Sequence, residues 1–107
     1  MRRGSFEHDN LIFSFLDSGG DGKPLLALHG HWMGASDFED LAADLAPMWR
    51  VVALDQRGFG ESDHTDRHAL LAYVSDALAL LGHSFEPHEN AQRIQSKESS
   101  LRAQNTI

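Results

Sequence analysis

Two glycine-punctuated stretches hold the residues of this chain best suited to chemistry. The first, His29-Gly30-His31-Trp32-Met33-Gly34, follows the apolar run 25–28. A loop leaving the carboxyl end of a buried strand can aim backbone N–H groups at negative charge developing on a reacting oxygen. Glycine lets that backbone come close to a bound molecule. The same residues also suit an ordinary strand-to-helix turn with an aromatic ring packed over it, and the motif alone leaves both readings open. His29 and His31 form an H-x-H pair. Two ligands rarely hold a metal, no carboxylate follows at metal spacing, and the next histidine is His64. No metal or other cofactor is expected.

The second stretch is Asp55-Gln56-Arg57-Gly58-Phe59-Gly60-Glu61-Ser62. Its glycines invite comparison with a dinucleotide loop. That fingerprint, however, sets its glycines directly after a strand and opens a helix at once. Here Asp55-Gln56-Arg57 intervene and Glu61-Ser62-Asp63 follow. The better reading gives Gly58 and Gly60 turn geometry, while Asp55 and Arg57 fix the loop by hydrogen bonds and charge pairing. A third stretch, Gly82-His83-Ser84, begins like the G-x-S-x-G elbow of a serine nucleophile. Three features oppose that role. Glu86 stands where the second glycine belongs, the preceding run has helical rather than strand periodicity, and Pro87 follows where a helix must start.

Elements must position these loops. Residues 10–16 (NLIFSFL) read as a strand, and the Ser18-Gly19-Gly20-Asp21-Gly22 cluster as a turn joining a hairpin or an adjacent strand pair. The continuous apolar run 25–28 suggests a strand covered on both faces. Ser36 with Glu39 predicts a capping box, and acidic Asp37, Glu39 and Asp40 favour a helix start there. Phe38, Leu41, Ala42 and Leu45 form one apolar stripe, and Pro47 ends the helix. Residues 50–55 are the next strand. A strand–helix–strand unit of this length pairs in parallel. A second helix is predicted from Thr65 or Asp66, with Leu70, Leu71, Val74, Ala77, Leu78 and Leu81 as its apolar face and Gly82 as its C-cap. After Pro87 the chain turns polar, and 88–107 read as a weak helix or a disordered tail.

The whole chain has 107 residues, 41% of them apolar, enough for one small domain with a core. A formal charge of −7 disfavours nucleic acid as a partner, since phosphate binding needs clustered lysine and arginine. No apolar run approaches the ~20 residues of a membrane span, and Arg2-Arg3 precede no signal-like segment, so no membrane association is expected. The absence of cysteine excludes disulfides and a cysteine nucleophile, and it fits a cytoplasmic setting.

Taken together these residues resemble the N-terminal portion of an α/β-hydrolase. In that family the loop after the third strand begins His-Gly and supplies a backbone N–H to the oxyanion hole. His29-Gly30 match it. The resemblance makes His31 the catalytic backbone donor and gives Gly30 and Trp32 substrate-binding positions, although Trp32 equally suits plain packing. The family's next strand commonly ends Asp-x-Arg-Gly-x-Gly-x-Ser, and residues 55–62 match every fixed position. The two motifs lie 26 positions apart with a helix between them. The resemblance covers residues 6–87 and implies an incomplete α/β fold. That fold has about four strands, mostly parallel at the βαβ unit, and two main helices.

The implied reaction is hydrolysis of an ester or a related bond in a small-molecule substrate. The family's nucleophile elbow, acid and base match nothing in this chain. The expectation is therefore a truncated hydrolase, inactive alone. The alternative is a non-enzymatic binding or receptor-like remnant of the same fold. In the family the third strand lies between the fourth and the fifth. Without a fifth strand, 25–28 becomes an exposed apolar sheet edge, open to self-association.

Overall fold

The computed structural model describes residues 1–31 and 33–85. Trp32 and the polar segment read at 88–107 lie outside the described residues. The chain divides into two compact units, Met1–Thr65 and Asp66–Ile107.

The first unit is a four-stranded mixed sheet with a short helical segment. Its strands are β1 (Arg2–His8), β2 (Leu11–Asp17), β3 (Lys23–Leu28) and β4 (Trp49–Leu54). Their spatial order is β1-β2-β4-β3. The antiparallel β1/β2 hairpin turns at Asp9 and Asn10, whose φ angles of 55° and 60° are both left-handed. Such a turn carries the right-handed twist that two strands need, and short polar side chains tolerate it best. The hairpin therefore falls earlier than the glycine cluster suggests. β2 and β3, which flank that cluster, are not neighbours, because β4 lies between them. β1 itself escapes a sequence reading, since Phe6 is its one large apolar residue. It is recruited by packing: Phe6 stacks on Phe13 at 5.3 Å, and Gly4 lies under the ring of Phe15, opposite it in register.

β4 is the central strand, and Val51, Val52, Ala53 and Leu54 are all buried. That is where a continuous apolar run belongs. β3 pairs with β4 in parallel, as expected of the strand–helix–strand unit. Coverage on both faces is the wrong expectation for β3. It is an edge strand, with Ala27 buried and Leu28 45% exposed.

Between β3 and β4 the chain forms a 3-10 turn, Ala35–Phe38, and then α1 (Glu39–Leu45). The expected Ser36/Glu39 box is replaced two residues earlier. Gly34 is the cap, and its N–H donates to Asp37 Oδ2 at 2.8 Å. Ala42 is buried, and Phe38 and Leu45 pack against the core of Leu16, Ala27, Ala35, Val51 and Ala53. Leu41 stays exposed. Three of the four stripe residues thus face the core, and Leu41, at the margin of that face, does not.

In the second unit α2 spans Leu70–Ser84. It starts later than expected and continues through Gly82, so the C-cap is Phe85. Of the expected apolar face, Leu70 is exposed and the others are half-buried. The buried positions are Ser75, Asp76 and Leu80. No helix among the described residues is long and apolar enough to cross a membrane.

Candidate active site

The register of β3 on β4 decides where the two loops meet. Ala27 pairs with Ala53 and Leu28 with Leu54. Because the strands are parallel, both carboxyl ends finish side by side, and both glycine-bearing loops leave the same end of the sheet. This is where ligand sites form in parallel sheets.

The loops are tied together at their roots. His29, 5% exposed, accepts the Gln56 backbone N–H on Nε2 at 2.9 Å. The Gln56 side-chain amide donates to the His29 carbonyl at 2.7 Å. The other ring nitrogen, Nδ1, donates to the Gly30 carbonyl at 2.8 Å, and that carbonyl also accepts the Met33 N–H at 3.2 Å. Phe59 reaches back from the second loop. Its ring meets both His29 and His31 in T-shaped contacts with centroids 5.3 Å apart.

Asp55 holds the far end of the first loop. Its buried carboxylate accepts the Ala35 N–H at 2.8 Å on Oδ1, and the Glu61 N–H at 3.1 Å and Arg3 Nη1 at 3.0 Å on Oδ2. Arg3 also bonds Ser14 Oγ and pairs with Glu61. One carboxylate thereby joins β1, the helix start after β3, and the turn after β4. Gly60 must be glycine for two reasons. Its φ is +54°, and a Cβ there would lie 2.3 Å from the Asp55 carboxyl carbon.

The remaining motif residues hold the scaffold. Arg57 is 1% exposed, pairs with Asp9 at 3.0 Å and lies 6.0 Å over the Phe13 ring. Ser62 is buried. Its hydroxyl donates to the Asp55 carbonyl and accepts the Ser14 N–H at 2.8 Å. Asp55 and Arg57 thus do what charge and turn chemistry implied. A buried hydroxyl committed in this way is no nucleophile.

Gly30 and His31 sit in the first loop beyond the strand ends, with the His31 side chain exposed. Trp32 lies outside the described residues. Ser84 is the last residue of α2, so the strand–turn–helix setting of a nucleophile elbow is not formed around it. Among the described residues no group of three or more His, Asp or Glu could hold a metal ion. A reading of motifs overlooks Gln56 and Phe59, which occupy variable positions of the second stretch. It also overlooks Arg3, Asp9 and Ser14, which come from a hairpin far away in sequence. The Asp9-Asn10 pair is the one local signal for that hairpin.

No family model matches the chain. It is similar to the sn-1-specific diacylglycerol lipase ABHD11 of Danio rerio, with 33% identity over 75 residues, and to epoxide hydrolase 4 of Mus musculus, with 38% over 81 residues. The alignments cover 68% and 69% of this chain but 24% and 23% of those proteins. The chain spans about a quarter of the length of these curated relatives. Among solved structures, an alpha/beta hydrolase from Novosphingobium aromaticivorans superposes with a TM-score of 0.69 at 34% identity, over 77% of this chain and 31% of that one. The Cif epoxide hydrolase of Acinetobacter nosocomialis superposes with a TM-score of 0.72 over 78% of this chain and 26% of that one. At 16% identity it speaks for the fold alone.

Proposed function

This chain belongs to the α/β-hydrolase superfamily, matching an N-terminal part of that fold, and on that premise we propose that it carries the oxyanion-binding side of a hydrolase active site. The observation supporting this reading is the double tie of His29 to Gln56 beneath the first loop. Residues 30 and 31 are thereby held beyond the ends of a parallel strand pair. Attack on an ester or related carbonyl puts negative charge on its oxygen, and a fixed backbone donor stabilises that charge without reorganising. His31 N–H is the donor. Gly30 keeps the approach open, and the resemblance to the family gives Trp32 a substrate-binding role. The substrate is a small molecule with a hydrolysable ester or related bond.

The chain alone does not turn that substrate over. Of its three G-x-S sequences, Gly82-His83-Ser84 lies at the end of a helix, Gly34-Ala35-Ser36 opens the 3-10 turn, and the Ser62 of Gly60-Glu61-Ser62 is locked in the scaffold.

The donor role is tested by titrating the ¹⁵N-labelled chain with a short alkylphosphonate, an anion with the tetrahedral shape of the intermediate. The His31 amide is expected to shift most. His31→Ala should keep the response, because it keeps the N–H, and His31→Pro should abolish it. A response centred on residues 58–61, or none at His31, rejects the assignment.

A further inference from the structure

We propose that the neutral form of His29 latches the two loops together, and that a proton on its Nε2 opens the latch. The hydrogen-bond partners decide the state of the ring without further assumption. The Gly30 carbonyl can only accept, so Nδ1 carries a hydrogen. The Gln56 backbone N–H can only donate, so Nε2 presents its lone pair. Both nitrogens are committed, and the ring is the Nδ1–H tautomer. A second proton has one place to go. It would set an N–H on Nε2 against the N–H of Gln56 across 2.9 Å, turning an attraction into a repulsion. The neighbouring Gln56 side-chain bond to the His29 carbonyl depends on the same alignment.

The surroundings offer the added charge no compensation. Among the described residues the ring of His29 meets Gly30, Gln56 and Phe59, and no carboxylate or cation touches it. On its own loop the titratable group is His31, across the Phe59 ring. On the second loop the nearest charged groups in sequence are Asp55, Arg57, Glu61 and Asp63, the last of which accepts the Ile12 N–H. Asp55 is held by Ala35, Glu61 and Arg3, Arg57 pairs with Asp9, and Glu61 pairs with Arg3. His29 is 5% exposed, so a charge on its ring would be poorly hydrated. The device needs nothing beyond the two loop roots. It concerns the latch itself and stands even if His31 proves not to be an oxyanion donor.

The test compares the full 107-residue chain with its His29→Gln variant by hydrogen exchange read by mass spectrometry. A glutamine amide oxygen can take the Gln56 N–H in place of Nε2 and does not titrate. Comparing the two proteins at one pH cancels the intrinsic pH dependence of exchange. At about pH 8 the segment containing Gln56 should exchange alike in both. At about pH 5 it should exchange at least ~3-fold faster in the wild type, with β4 protected equally in both. An unchanged ratio at the two pH values overturns the proposal. Ring-nitrogen NMR of the wild type keeps the question open to refutation if the variant does not fold. The expected result is Nδ1–H with a bare Nε2 at neutral pH, and a Gln56 amide that moves as Nε2 gains its proton. An Nε2–H tautomer, a Gln56 amide indifferent to ring protonation, or a ring neutral until the sheet unfolds each overturns it.

Discussion

Replacing Gly60 with alanine probes the joint on which the site depends. Two costs arise, and the structure separates them. The first is the left-handed backbone, φ +54°, which costs a residue with a Cβ about 1 kcal/mol. The second is collision: the new Cβ would stand 2.3 Å from Asp55 Cγ and Oδ1. The carboxylate must move, and its bonds to the Ala35 and Glu61 N–H groups go with it. Losing such charge-assisted bonds costs about 2–3 kcal/mol once the exposed Arg3 contact is discounted. Gly60→Ala should therefore cost about 3–4 kcal/mol, a large part of a small domain's stability. Gly19→Ala supplies the control. Its φ is +71°, and nothing lies within 4 Å of where the added methyl would stand, so it should cost only the backbone share, about 1 kcal/mol. The decisive comparison is a double-mutant cycle in urea at low protein concentration. With Asp55→Ala in place the colliding atoms are gone, and adding Gly60→Ala should cost about 1 kcal/mol more, leaving a coupling of about 2–3 kcal/mol. A Gly60→Ala cost no larger than that of Gly19→Ala, or simple additivity of the changes at Asp55 and Gly60, refutes the collision.

Other consequences follow from the scaffold. Arg50 grips Asp17 through two bonds, at 3.0 and 2.6 Å, and holds its carboxyl below the ordinary 3.8; the Gly19 N–H adds to this. The folded value is the lower one, so the stabilisation is complete above 3.8 and disappears as pH falls through the folded value. Asp17→Asn should therefore cost about 1 kcal/mol at pH 7 and progressively less as pH falls below 3.8, read from urea midpoints at each pH. A constant penalty would contradict this. Asp9→Asn keeps a residue suited to φ 55° and removes only the charge facing buried Arg57. It should lower stability by about 1–2 kcal/mol, less than for a fully buried pair because Asp9 is partly exposed. Thermal melts check it, and an unchanged midpoint would deny the pair its role. The open edge of β3 should make the chain associate with itself, and Leu28→Lys, which charges an exposed edge position, should return it towards monomer in sedimentation velocity. A sharp wild-type monomer peak with cooperative unfolding contradicts this expectation.

The parts of the fold legible in the sequence are those where a local pattern and its tertiary use coincide. Val51 to Leu54 read as a buried strand because every residue is apolar and every residue is covered. Gly60 and Asp55 read as turn and anchor because each is specialised for that work. β1 is illegible, since Arg2, Arg3, Gly4 and Ser5 carry no pattern and become a strand only through Phe13 and Phe15 on the neighbouring one. The helix start is misread because Ser36 and Glu39 satisfy the local rule, whereas Gly34 wins through Asp37 and through the Ala35 N–H reaching Asp55, twenty residues away. At the site, Gly30 and His31 can be picked from their motif. Gln56 cannot. It matters because parallel register brings it beneath His29, and register is a property of the pair of strands rather than of either sequence.

If the chain holds the charge-stabilising side of a hydrolase site without a nucleophile of its own, it binds the developing charge but starts no reaction. Steady-state hydrolysis of 4-nitrophenyl butyrate by the purified chain tests this most directly, with Ser84→Ala alongside. The expected rate equals that of buffer for both proteins. Saturable turnover by the wild type, abolished by Ser84→Ala, would contradict it and make the end of α2 the reactive half.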